Sequence, residues 1–149
     1  MLKYEPSEAE VKHGIMDLLD VHKIVWWQQQ VGVATYSDKH GNERKVKYGE
    51  KGTSDLACII NSNRYKNIRG IFVVIEVKKP SAHRFLLKHY DRIRSGKCKT
   101  PRDWHLFNQI SYIENIIKTG NIGFFVSDVA DMDQIIKDCR ELIDHTIIL

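Results

Sequence analysis

The apolar positions along this chain follow two different periods. Val11, Ile15, Leu18 and Leu19, with His22, recur on one helical face. Ser7 followed by Glu10 is a capping-box pair, so a helix is predicted over about residues 7–22. Residues 24–37, IVWWQQQVGVATYS, are rich in β-branched and aromatic side chains and predict one strand. The turn-forming DKHGNE at 38–43 then returns the chain as a second strand, RKVKY, at 44–48. Gly49 and Gly52 interrupt the pattern. SDLACII at 54–60 and IFVVIEV at 71–77 are short apolar runs joined by a polar linker, and predict two neighbouring central strands.

The second half alternates helix and strand. Thr100 and Pro101 supply a cap and a first helical position, and Trp104, Phe107, Ile110, Ile113, Ile116 and Ile117 follow at helical spacing until Gly120. IGFFVS at 122–127 predicts a further buried strand, and Asp131 opens a last helix over 132–143. HTIIL at 145–149 reads as a short terminal strand. The expected class is therefore α/β, a mixed sheet flanked by helices in a single domain over residues 1–149. Architecture of this kind does not by itself specify a function.

Composition narrows the setting. At 149 residues and 42% hydrophobic content the chain can bury a core without disulfides or a structural metal. Its three cysteines, Cys58, Cys98 and Cys139, are odd in number, widely spaced and in no CxxC pair, which argues against both a disulfide framework and a zinc ribbon. His83, His89, Cys98 and His105 match no zinc spacing either. The N-terminal residues are too polar for a signal peptide, and no apolar run has the length of a membrane span, so a soluble, intracellular protein is expected. The net charge of +4 mildly favours an anionic partner. Much of the positive charge is concentrated in residues 81–102, where 84–93 has helical character and 95–99 reads as loop. Trp26, Trp27 and Trp104 are expected in the core or an interface.

The chemistry-bearing feature is a carboxylate in an otherwise buried strand. In IFVVIEVKKP, Glu76 and Lys78 share one face of the strand because side chains alternate. If the runs at 54–60 and 71–77 pair as a hairpin, Asp55 lies beside Glu76. Two desolvated carboxylates repel unless a cation stands between them, and oxygen ligands of this kind select a hard divalent ion such as Mg²⁺. Such an ion would bind a phosphate oxygen and acidify a water, with Lys78 placed to hold that water or to neutralise developing charge.

Gly52-Thr53-Ser54-Asp55 followed by Glu76-Val77-Lys78 resembles the metal-binding core of the PD-(D/E)XK nuclease superfamily, and the wider chain resembles its VRR-NUC branch. The ordered elements are Glu8 in the first helix, YGEKGTSD at 48–55, VVIEVKKP at 73–80, FNQISYI at 107–113 and GNIGFFVS at 120–127. The resemblance implies a restriction-endonuclease-like core and a DNA endonuclease dependent on Mg²⁺ or Mn²⁺. It implies Asp55, Glu76, the Val77 carbonyl and Glu8 around the metal, Lys78 at the attacking water, and Gln109 near the metal, binding a water or a phosphate oxygen. It implies branched or four-way junction DNA as substrate in recombination or repair. A homodimer and a cytoplasmic setting in a bacterial or phage-infected cell also follow from it.

The stretch at about 81–102 departs from shorter relatives as a basic insertion. Lys51, Lys79, Arg84, Lys88, Arg92, Arg94, Lys97, Lys99 and Arg102 are the candidates for contact with DNA. Two rival readings keep the same fold: a DNA-binding accessory module without catalysis, and a restriction endonuclease with a defined recognition sequence.

Overall fold

In the computed structural model, which describes residues 3–29, 32–48, 52–63 and 70–145, helices and strands alternate irregularly along the chain. They are α1 (Glu8–Val21), β1 (Val25–Gln28), β2 (Gly32–Ser37), β3 (Glu43–Tyr48), β4 (Leu56–Asn61), β5 (Gly70–Val77), α2 (Pro80–Arg94), α3 (Pro101–Lys118), β6 (Ile122–Val126) and α4 (Val129–His145). A four-stranded sheet runs in the order β1-β4-β5-β6. β1, β4 and β5 are antiparallel neighbours and β6 lies parallel to β5, across the helical crossover α2–α3. The class is α/β, with a mixed sheet flanked by helices.

The two faces of this sheet are covered differently. Leu56, Cys58 and Ile60 of β4 and Val73, Ile75 and Val77 of β5 pack with Val11, Ile15 and Leu19 of α1 and Met132, Ile136 and Ile143 of α4. On the opposite face Ala57 and Val74 meet Ile113 of α3. β5 therefore has helices above and below it, which is why its apolar run does not alternate with polar residues. Burying side chains such as Ile15 and Leu19, both fully enclosed, is worth about 1.5–3 kcal/mol each. α2 packs on α3 through Leu86, Ile93, Leu106 and Ile110, so the basic segment begins as a docked helix, and the turn at 95–99 follows it.

The helix starts follow the sequence closely. Ser7 accepts from the Glu10 N–H while Glu10 reaches back to the Ser7 N–H, and Thr100 accepts from the Asp103 N–H beside Pro101. Two expectations need correction. Residues 24–37 are not one strand: β1 pairs with β4 in the main sheet, whereas β2 pairs with β3 in a separate two-stranded ribbon. Composition reports that a segment suits a strand but not which partner it takes. The last helix opens at Val129, because Asp128, rather than Asp131, accepts from the N–H groups of Ala130 and Asp131. Trp26 packs against the core, whereas Trp27 and Trp104 are exposed, Trp27 stacking on Phe72 and Trp104 meeting Phe107 edge-on. Residues 146–149 of the expected terminal strand lie outside the described residues, and His145 ends α4.

Candidate active site

The site is assembled where the chain enters β4 and leaves β5. The antiparallel register sets Leu56 opposite Ile75, which brings Asp55 and Glu76 together at the next step. Asp55 accepts from the Val77 N–H through Oδ2 at 2.9 Å, and Lys12 of α1 approaches its Oδ1 at 4.0 Å. The Asp55 carbonyl accepts from the Gln29 N–H, so the carboxylate stands on backbone held from both neighbouring strands. Val77 enters the site through this N–H, since its side chain is wholly in the core.

Glu76 lies on the face covered by α3. There Gln109 donates to Glu76 Oε1 through Nε2 and accepts from Lys78 Nζ through Oε1 at 2.8 Å. Lys78 Nζ is also 3.4 Å from Glu76 Oε1. All three side chains are buried, Glu76 being 3% exposed. Gln109 thus lies beside Glu76 as expected and also clasps Glu76 and Lys78 together, one bond at each end of its amide.

Glycine at position 52 permits this clasp. Its φ is +83°, and a Cβ there would lie 2.4 Å from the carbonyl oxygen of Asn108, the residue before Gln109. The entry loop and α3 approach so closely that a side chain does not fit.

Glu8, Asp55, Glu76, Lys78 and Gln109 line one cavity of about 390 Å³, together with Thr53, Arg102 and His105. Glu8 is exposed at the first position of α1 and reaches the cavity from outside the sheet. Burial, then the charge of Asp55, pushes the Glu76 carboxyl up to about 8, against the opposing effect of Lys78. Glu76 Oε2 is buried without a hydrogen-bond partner, as are Ser54 Oγ and Gln29 Nε2. Three of the four such side-chain atoms among the described residues therefore belong to residues beside Asp55. Of these atoms only Glu76 Oε2 belongs to a residue lining the cavity, where a water or an ion could meet it.

Metal-holding capacity can be judged from the donors. Among the described residues no group of three or more His, Cys, Asp or Glu side chains is gathered closely enough for a metal site. The set at hand is the partnerless Glu76 oxygen and Asp55, with Glu8 at the rim. Two carboxylates suit a hard ion such as Mg²⁺ that keeps several waters, and do not suit zinc or another ion that draws all its ligands from the protein.

The basic candidates separate into classes. Arg92 is tied to the buried Asp103 at 2.7 Å, and Arg94 at the surface to Glu114, so both link α2 to α3. Lys79, Arg84, Lys88, Lys97 and Lys99 are exposed, and Arg102 stands at the cavity. Lys51 lies outside the described residues. Sequence reasoning missed Lys12 and Thr53. The signal for Lys12 was its position one helical turn after Glu8, on the same face. No helix among the described residues is long and apolar enough to cross a membrane. No protein-family profile, curated protein or solved structure matches the chain.

Proposed function

We propose that this chain is a divalent-metal-dependent DNA endonuclease built on a PD-(D/E)XK core of the VRR-NUC kind. The observation that carries the reading is one cavity containing Glu8, Asp55, Glu76, Lys78 and Gln109, with a partnerless Glu76 oxygen inside it. Asp55 and Glu76 would hold Mg²⁺ or Mn²⁺, with Glu8 in support. When bound, the ion supplies Lewis-acid stabilisation of the phosphate and a more acidic water.

The remaining chemistry belongs to the chain. Gln109 fixes the Lys78 ammonium and one Glu76 oxygen, so neither side chain has to be ordered when substrate arrives. The Lys78 ammonium would stand beside the position where negative charge grows on the phosphoryl oxygens. The buried apolar strand beneath holds both groups on rigid backbone.

The resemblance to VRR-NUC nucleases supports branched or four-way junction DNA as substrate, a homodimer, and work in recombination or repair. Purified protein is to be incubated with Mg²⁺ or Mn²⁺ and with four-way junction, flap, single-stranded and linear duplex DNA. Cleavage that is lost in Asp55→Ala and Glu76→Ala and strongest on the junction is the expected result. DNA binding without cleavage under any metal would favour the accessory-module reading. Discrete fragments from a long linear duplex would favour a restriction endonuclease.

A further inference from the structure

The cavity is lined by the carboxylates of Glu8, Asp55 and Glu76 and by a polar wall on α3, where Arg102, His105 and Gln109 succeed one another at helical spacing, Gln109 meeting Glu76 directly. A mobile arginine next to three carboxylates would be expected to fold onto them. Arg102 does not: its guanidinium carbon lies 3.9 Å above the centre of the Phe85 ring of α2, and no ion pair holds it among the described residues. Arg92 and Arg94, on the neighbouring helix, are by contrast paired with Asp103 and Glu114.

The base of this wall is rigid at both ends. Asp103, next to Arg102, is buried and accepts from Arg92 and from the Lys99 N–H, which pins the first turn of α3. Two turns on, Gln109 is pinned by Glu76 and Lys78. Residues 102–109 are thus held at a set distance from the carboxylates. A stacked guanidinium still presents its edge N–H donors, in the fork that matches two phosphate oxygens.

We infer that Arg102, stacked on Phe85 and flanked by His105, forms a phosphate subsite that grips a nucleic-acid phosphate at the α3 wall of the cavity that the carboxylates also line. The subsite deepens the nuclease reading and rests on it for the identity of the substrate, though not for the chemistry of the ligand. Arg102 is here a positioning residue: it fixes where the backbone lies, and the carboxylates and Lys78 act on what is placed there.

The test uses two probes in EDTA, a fluorescent duplex DNA followed by anisotropy across a salt series and thymidine 3′,5′-bisphosphate followed by calorimetry. Wild type, Arg102→Ala, Arg102→Lys and Phe85→Leu are compared, with circular dichroism and melting to establish folding. The expected result for Arg102→Ala is roughly tenfold weaker binding of both probes. The salt dependence of DNA binding should also flatten by about one unit of log–log slope. Arg102→Lys should restore the slope but only part of the affinity, and Phe85→Leu should weaken binding with the slope kept. A folded Arg102→Ala that binds both probes like wild type overturns the subsite, even if the wild type cleaves DNA. Bisphosphate binding that depends on Arg102 in a protein that cleaves no DNA with any metal upholds the subsite and overturns the nuclease reading.

Discussion

Glu76 and Asp103 are both almost wholly withdrawn from water, 3% and 2% exposed, and the protein treats them in opposite ways. Asp103 is surrounded by donors. The Arg92 guanidinium first, then the Lys99 N–H, hold its carboxyl well down, to about 2. Glu76 has one oxygen bonded to Gln109 and the other bonded to nothing, and burial beside Asp55 drives it up to about 8. A buried charge that serves the fold is saturated with partners, because an unsatisfied one destabilises. A buried charge kept unsaturated has room for something the chain does not contain.

The contrast can be broken most severely at Glu76. Glu76→Gln is expected to lower cleavage by on the order of a thousandfold, since an amide neither carries the charge nor draws a hard cation. The same protein in EDTA should melt no lower than wild type. A large loss of stability would mean that Glu76 serves the fold as Asp103 does.

Gln109→Ala should lower cleavage by roughly ten- to a hundredfold, as Lys78 and Glu76 lose the group that orients both. Gly52→Ala should cost about 2 kcal/mol in urea unfolding, because its Cβ would press on the Asn108 carbonyl. Cleavage should fall with it, since the same turn carries Gln109. Asp103→Asn should lower the melting temperature by several degrees and leave cleavage by the folded fraction largely intact.

The smallest effect, and the most diagnostic, is the pH dependence of stability without metal. Asp103 has a depressed carboxyl, so its contribution is complete above the ordinary carboxylate value of about 4. It is lost as the pH falls towards about 2, so wild type and Asp103→Asn should converge in acid. Glu76 is raised, so its protonated form favours the fold below the ordinary value, and that contribution is lost as the pH rises through about 8. Melting in EDTA from pH 5 to pH 9 should therefore favour Glu76→Gln over wild type progressively. Parallel curves for the two would remove the contrast.

Much of this was legible before any fold was drawn. Ser7 with Glu10, and Thr100 with Pro101, mark helix starts because capping is a contact between residues three apart. Glu76 stood out because a carboxylate inside IFVVIEV contradicts its surroundings. The ribbon of β2 and β3 was not separable from β1, because partner choice is a long-range property that strand propensity does not contain. The partners of the basic stretch were hidden for a similar reason. Arg92, Arg94 and Arg102 read alike in sequence, yet one meets Asp103, one Glu114 and one the Phe85 ring.

By itself, then, the sequence determined the elements and the residue types available for chemistry, since caps, breakers and hydrophobic period act within a few residues of themselves. Only the tertiary structure decided which polar groups are satisfied. Satisfaction depends on what the other strands and helices bring within hydrogen-bond reach, and it is this that leaves Glu76 with an open oxygen and Asp103 with none.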